Sequence, residues 1–117
     1  MRPQPDLSAD TPQAGYVASK HAVVGLTRAA ATEGARHGVR VNAVCPGPTE
    51  RRMITSIERG ANADDPARAR AIYETAIPLR RYARPAEVAS VIAFVASPEA
   101  SYVTGAILPV DGGMSAV

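Results

Sequence analysis

An α/β fold with a parallel sheet is what this sequence predicts, and three observations carry that reading. From Ala14 to about Arg36 the chain has no proline and is rich in alanine, which is the composition of one long helix. Val39, Val41, Ala43, Val44 and Cys45 then form a short apolar run bounded by Gly38 and Pro46-Gly47. A second short run, residues 106–110, stops at Asp111-Gly112-Gly113 after two further helical stretches.

Residues 1–13 hold three prolines, two aspartates and no apolar periodicity, which makes them a loop leading into the first helix. That helix, expected over about residues 14–37, presents Val17, Val24 and Leu26 with Ala18, Ala22 and Ala29 as a small-residue apolar face. His37-Gly38 closes it, with glycine as the left-handed residue past the last turn. The strand expected over about 39–45 is apolar at most positions, the pattern of a strand covered on both faces. Beyond Pro46-Gly47-Pro48 an irregular, arginine-bearing stretch runs to Gly60. Asp64-Asp65-Pro66 joins an N-cap signal to proline at the first helical position, so a helix is expected over about 66–76. Arg84-Pro85-Ala86-Glu87 opens another over about 85–97, with Val88, Val91, Ile92 and Val95 as its core stripe. The strand over about 106–110 completes the set. Two parallel strands need further strands or covering helices for independent stability, so the chain reads as part of a larger sheet.

Composition narrows the function classes. With 117 residues the chain is at most one modest domain, and 46% hydrophobic against 21% charged residues is globular rather than disordered. A net charge of +2, aromatics at 4% and dispersed arginines supply neither a basic stripe nor a stacking platform, so no nucleic-acid partner is expected. No apolar run approaches the ~20 residues that span a bilayer, and Met1-Arg2-Pro3-Gln4-Pro5-Asp6 lacks the apolar region of a secretory signal. A cytoplasmic protein with no membrane partner is therefore expected. Cys45 is the single cysteine, which allows no internal disulfide and no thiolate metal site, and a buried inert thiol is expected there.

Tyr16 and Lys20 carry the chemistry. Their spacing of four puts both side chains on one helical face, one turn apart. A phenol titrates near 10 and is a poor proton donor or acceptor at neutrality until its phenolate is stabilised. A unit charge about 4 Å away, at an effective dielectric of about 20, contributes about 4 kcal/mol, enough to bring a phenol into the range of general acid–base catalysis. Lys20 is the only lysine among thirteen cations, so its place beside Tyr16 departs from the chain's preference for arginine.

The context extends this pair. Tyr16-Val17-Ala18-Ser19-Lys20 is followed by Ala22, Gly25 and Leu26-Thr27-Arg28, then by Val39-Arg40-Val41-Asn42-Ala43-Val44-Cys45-Pro46-Gly47, and finally by Val110-Asp111-Gly112-Gly113. In this order the motifs resemble the C-terminal half of a short-chain dehydrogenase/reductase, from about Gly15 to Gly113. The resemblance implies that residues 14–117 form the C-terminal part of a single Rossmann-like domain with a doubly wound parallel sheet, whose N-terminal dinucleotide-binding part is absent here. It implies an oxidoreductase using NAD or NADP, with hydride passing between nicotinamide and a small carbonyl or alcohol substrate. Tyr16 would exchange the proton with the substrate oxygen and also contact the cofactor, and Lys20 would stabilise the phenolate and hydrogen-bond the nicotinamide ribose. Pro46, Gly47, Pro48 and Thr49 would form the turn that holds the nicotinamide carboxamide, with Thr49 the better donor because proline has no N–H. Ile54 to Arg80 would be the substrate-covering region. A homo-oligomer, dimer or tetramer, is implied for the intact enzyme.

Departures from the family pattern set limits. The threonine usual near the end of the cofactor loop falls at Arg51. The family's serine lies about a dozen residues before the tyrosine, whereas residues 2–6 contain none and Ser8, the nearest, stands too close. No glycine-rich phosphate loop occurs in the sequence, so the chain by itself is expected to be inactive. The alternative reading is a non-catalytic truncated module that associates with intact subunits of the family.

Overall fold

The computed structural model describes residues 13–50 and 66–116. In chain order these form α1 (Gln13–Ala35), β1 (Ala43–Pro46), α2 (Pro66–Thr75), α3 (Pro85–Ala96) and β2 (Ile107–Val110), with single 3-10 turns at Pro98–Ala100 and Met114–Ala116. Among the described residues β1 and β2 make one parallel pair, with Ala43 opposite Ile107 and Pro46 opposite Val110. Both α1 and α3 lie against β1. The expected loop over 1–13 falls outside the described residues except for Gln13, which is the first helical residue.

The first helix ends at Ala35 rather than 37, because a hydrogen-bonded turn takes over there. His37 and Gly38 donate to the carbonyls of Gly34 and Ala35, at 2.9 and 3.0 Å, and Val39 N–H also reaches Gly34 O at 3.0 Å. Gly38 adopts φ 72°, the left-handed closure expected of it. The buried face differs from the expected one. Thr27 and Ala31 are buried, whereas Val17 and Leu26 are 49% and 70% exposed. Ala31 faces Gly105, where a Cβ built on that glycine would sit in contact with the Ala31 Cβ at 3.4 Å. Thr27 tolerates burial because its hydroxyl donates to Val23 O at 2.7 Å.

Regular pairing in β1 begins at Ala43 rather than at 39, and side chains account for the difference. Val41 N–H donates to Thr104 Oγ1 at 3.1 Å, and Gly105 N–H to Val41 O at 2.7 Å. Asn42 donates through Nδ2 to Val103 O and accepts from Ala106 N–H at Oδ1, both at 3.0 Å. These bonds occupy backbone groups that a ladder would use, so β2 likewise starts at Ile107 rather than 106. The strands are half-buried rather than covered on both faces, and Cys45 is half-buried instead of buried.

Arg40 ties the start of this run to the end of α3. Its guanidinium donates to Val95 O, Val103 O and Ser97 O at 2.9, 3.0 and 3.1 Å, placing a cation on the negative end of the helix dipole. The helix α3 stops at Ala96, one residue early, because Ser97 turns extended at φ −90° and ψ 162° ahead of Pro98. Val88 and Val95 of its expected stripe are buried, but Ile92 is 50% exposed. Similarly, α2 ends at Thr75 rather than 76, and Arg80, at φ 60°, turns its guanidinium back to the Thr75 carbonyl.

Glu87 organises the start of α3. Its carboxylate accepts the Arg84 N–H at 3.0 Å and the fork of Arg81 at 2.7 and 2.9 Å. These bonds, that of Arg81 first, hold the carboxyl down to about 2 from an ordinary 4.5. Since the folded pKa is depressed, the stabilisation is fully present above about 4.5 and is lost as pH falls through about 2. Thermal melting followed by circular dichroism should therefore lose stability across that window, and Glu87→Gln should flatten the loss. An unchanged slope in the variant would show that other carboxylates govern acid unfolding.

Candidate active site

Tyr16 and Lys20 stand on the first two turns of α1, where Lys20 Nζ lies 5.3 Å from the centre of the Tyr16 ring. At about 100° per residue, Tyr16, Lys20, Thr27 and Ala31 fall within about 60° of one another on the helix. The stripe that packs inward at Thr27 and Ala31 thus continues as Lys20 and Tyr16 toward the N-terminus. There both side chains are exposed, Tyr16 by 62%. His21 turns elsewhere, with Nδ1 2.9 Å from Val17 O.

The Pro46-Gly47-Pro48-Thr49 turn follows directly from β1. Gly47 N–H donates to Val110 O at 3.0 Å, extending the parallel pairing by one bond. The chain can make this bond only with glycine, since a Cβ at Gly47 would lie 2.7 Å from the Asp111 Cβ. Thr49 then pairs with Ala83 in an isolated parallel bridge. Its bonds come from the neighbours, with Ala83 N–H donating to Pro48 O at 3.0 Å and Glu50 N–H donating to Ala83 O at 2.9 Å. The Thr49 hydroxyl donates to Gly47 O at 2.9 Å, so it is spent inside the turn.

One donor is left over. Thr49 is 4% exposed, and its backbone N–H has no hydrogen-bond partner among the described residues. In extended backbone successive N–H groups alternate in direction, so the Thr49 N–H points away from the Ala83 side. Pro48 has no N–H and that of Gly47 is engaged. This amide, without a partner among the described residues, lies three residues beyond the carboxyl end of β1, and the crevice outside the carboxyl ends of the strands is where open α/β sheets bind ligands. No hydrogen bond or ring contact joins this turn to Tyr16 or Lys20 among the described residues. No cluster of potential metal ligands occurs among them either.

Around the turn lie two further groups of residues. Asp111 accepts from Gly113 N–H at 3.0 Å and Ser115 N–H at 3.1 Å, and hydrogen bonding, that of the Ser115 side chain first, draws its carboxyl below the usual range. Gly112 and Gly113, at φ 65° and 93°, let the backbone pass beside Ile77 and Pro78, and Leu79 N–H donates to Gly112 O at 3.1 Å. On the other side, Arg70 of α2 pairs with Glu50 and with Glu74, the latter at 2.8 Å, and stacks 4.5 Å over the Tyr82 ring. The Asp-Gly-Gly sequence was a usable signal for the first group. Nothing in the order of residues links Arg70 to Glu50. Ser8 and Arg51 lie outside the described residues.

A family model described as enoyl-(acyl carrier protein) reductase matches residues 8–115. The chain belongs to the short-chain dehydrogenase/reductase family. Among relatives of this family, the oxidoreductase UcpA of Salmonella typhimurium is 48% identical over 108 residues, 92% of this chain and 41% of that protein. Levodione reductase of Leifsonia aquatica is 41% identical over 104 residues, 89% of this chain and 39% of its own. The crystal structure of a levodione reductase superposes with a TM-score of 0.85 at 39% identity, covering 95% of this chain and 43% of that one. The aldohexose dehydrogenase of Thermoplasma acidophilum, ligand-free, gives 0.82 at 38% identity, with 94% and 44% covered. The short-chain dehydrogenase/reductase fold here is accordingly a partial Rossmann-like α/β layer, and the chain spans about two fifths of the curated relatives it matches.

Proposed function

We propose that this chain carries the proton-transfer pair and the nicotinamide turn of an NAD(P)-dependent oxidoreductase acting on a small carbonyl or alcohol. The observation that carries the reading is Lys20 Nζ 5.3 Å from the Tyr16 ring, both exposed on the N-terminal continuation of the stripe that carries Thr27 and Ala31. Relatives named as a levodione reductase and an aldohexose dehydrogenase support chemistry at a carbonyl or alcohol carbon.

The nicotinamide ring, when bound, supplies or accepts the hydride. The residues of this chain do the rest. The Tyr16 hydroxyl gives a proton to the substrate oxygen during reduction and takes it back during oxidation. Lys20 offers ammonium hydrogens to the ribose. The turn is suited to the cofactor because the Thr49 N–H, in a buried residue, has no acceptor among the described residues, and the carboxamide oxygen would provide one. Gly47, locked between Val110 and Asp111, fixes where that donor sits.

The pyrophosphate has no cradle in this sequence, so the 117-residue chain alone is expected not to bind NADH or NADPH. Fluorescence titration of the purified chain tests this, and tight binding would overturn it. Joined behind the segment that precedes the matched region in levodione reductase, the chain should oxidise NADH or NADPH in the presence of small ketones or aldehydes. Cofactor bound by the fusion without turnover over a broad carbonyl panel would favour a non-catalytic module instead.

A further inference from the structure

The cluster around Arg70 suggests how the cofactor turn is kept in place. Arg70 reaches from α2 to Glu50, the residue after Thr49, while its Nε donates to Glu74 one turn along its own helix. Its Cζ also lies 4.5 Å from the centre of the Tyr82 ring, and Tyr82 is 3% exposed and precedes the Ala83 that bridges to Thr49. One side chain therefore touches both segments whose pairing orients the Thr49 N–H. A planar, always charged group suits this task, since it stacks on a ring while donating in its own plane to two carboxylates. A lysine could pair with one carboxylate but could not stack in the same way. A groove of about 370 Å³ lined by Glu50, Arg70, Arg81, Tyr82 and Arg84 lies over this contact.

We propose that Arg70 is a positioning residue that holds α2 to the cofactor turn and thereby keeps the Thr49 amide where the nicotinamide carboxamide needs it. The functional half of this inference rests on the reading of the turn given above. Exposed ion pairs contribute little singly, so most of the effect comes from the contact with the buried Tyr82 ring, to which the half-exposed pair with Glu50 adds.

The test uses the complete enzyme formed by the levodione reductase fusion, with Arg70→Met, Arg70→Lys and Glu50→Gln. Arg70→Met should speed amide exchange at Glu50 and Ala83 about five- to tenfold while leaving Val44 and Leu108 unchanged. It should raise the KM for NADH, or NADPH if that is the cofactor used, by a similar factor with kcat within about twofold, and Arg70→Lys should fall between it and the unsubstituted protein. If Arg70→Met does not fold, the other two variants carry the same comparison. Unchanged exchange at Glu50 and Ala83 would overturn the clamp. A drop in kcat at constant KM would overturn its role in cofactor positioning. Should the fusion show no turnover at all, the proposed function fails, and amide exchange still decides whether Arg70 holds the turn.

Discussion

Tyr16→Phe in the completed enzyme is expected to lower kcat by about 10²- to 10⁴-fold, the range that one positioned proton donor contributes. The substitution removes a single oxygen from a side chain that is 62% exposed, so neither folding nor the packing of α1 should suffer. The Tyr16 ring that faces Lys20 Nζ stays in place, and cofactor binding should persist because the Thr49 amide and Lys20 are untouched. Steady-state kinetics paired with a cofactor titration separate the two effects. Retained turnover would remove Tyr16 from the mechanism, and lost cofactor binding would assign it to binding instead. Lys20→Met should resemble it in kcat but also weaken the cofactor, since the ribose contact goes with the ammonium.

Gly47→Ala should have the largest effect on stability. The new methyl would sit 2.7 Å from the Asp111 Cβ and 2.8 Å from its Cα, and backbone cannot swing aside as a flexible side chain can. Overpacking of this kind costs about 1–3 kcal/mol, and the upper end is expected because the displaced segment also loses the bond from Gly47 N–H to Val110 O. Gly25→Ala provides the contrast. Its Cβ would meet nothing within 4 Å in mid-helix, so it should stabilise by about 0.5–1 kcal/mol. Urea unfolding of the two variants measures both values. Equal midpoints would mean that the turn yields more easily than its contacts imply.

Much of the architecture could be read from residue order because local chemistry dictates it. The alanine-rich stretch had to be helical, Pro66 and Pro85 had to start helices, and Gly38 had to close one, and each does so within two residues of the expected place. The inward face of α1 was less legible. Apolar pattern favours Val17 and Leu26, whereas Thr27 and Ala31 are the buried residues of that helix, Ala31 where it meets Gly105. Ile92 was misplaced for a related reason, as periodicity assigns a stripe without knowing how far the covering layer extends. In the site, Tyr16 and Lys20 are neighbours in sequence, and their contact follows from that spacing. The Thr49 hydroxyl, however, is consumed by Gly47 O, so the group left over is the main-chain amide. Arg70 and Glu50 stand twenty residues apart, and only the tertiary fold brings them together.

The amide of Asn42 has a consequence for how the two strands find each other. They pair although 64 residues separate Asn42 from Ala106, which makes their meeting a slow, entropically costly closure. A parallel pair that slips by one position exposes what it should bury. Asn42 binds Val103 O and Ala106 N–H at once, so a shifted pairing would have to break both of these bonds. It works as a key cut for one lock, rejecting the shifted pairings that two short aliphatic strands would otherwise sample.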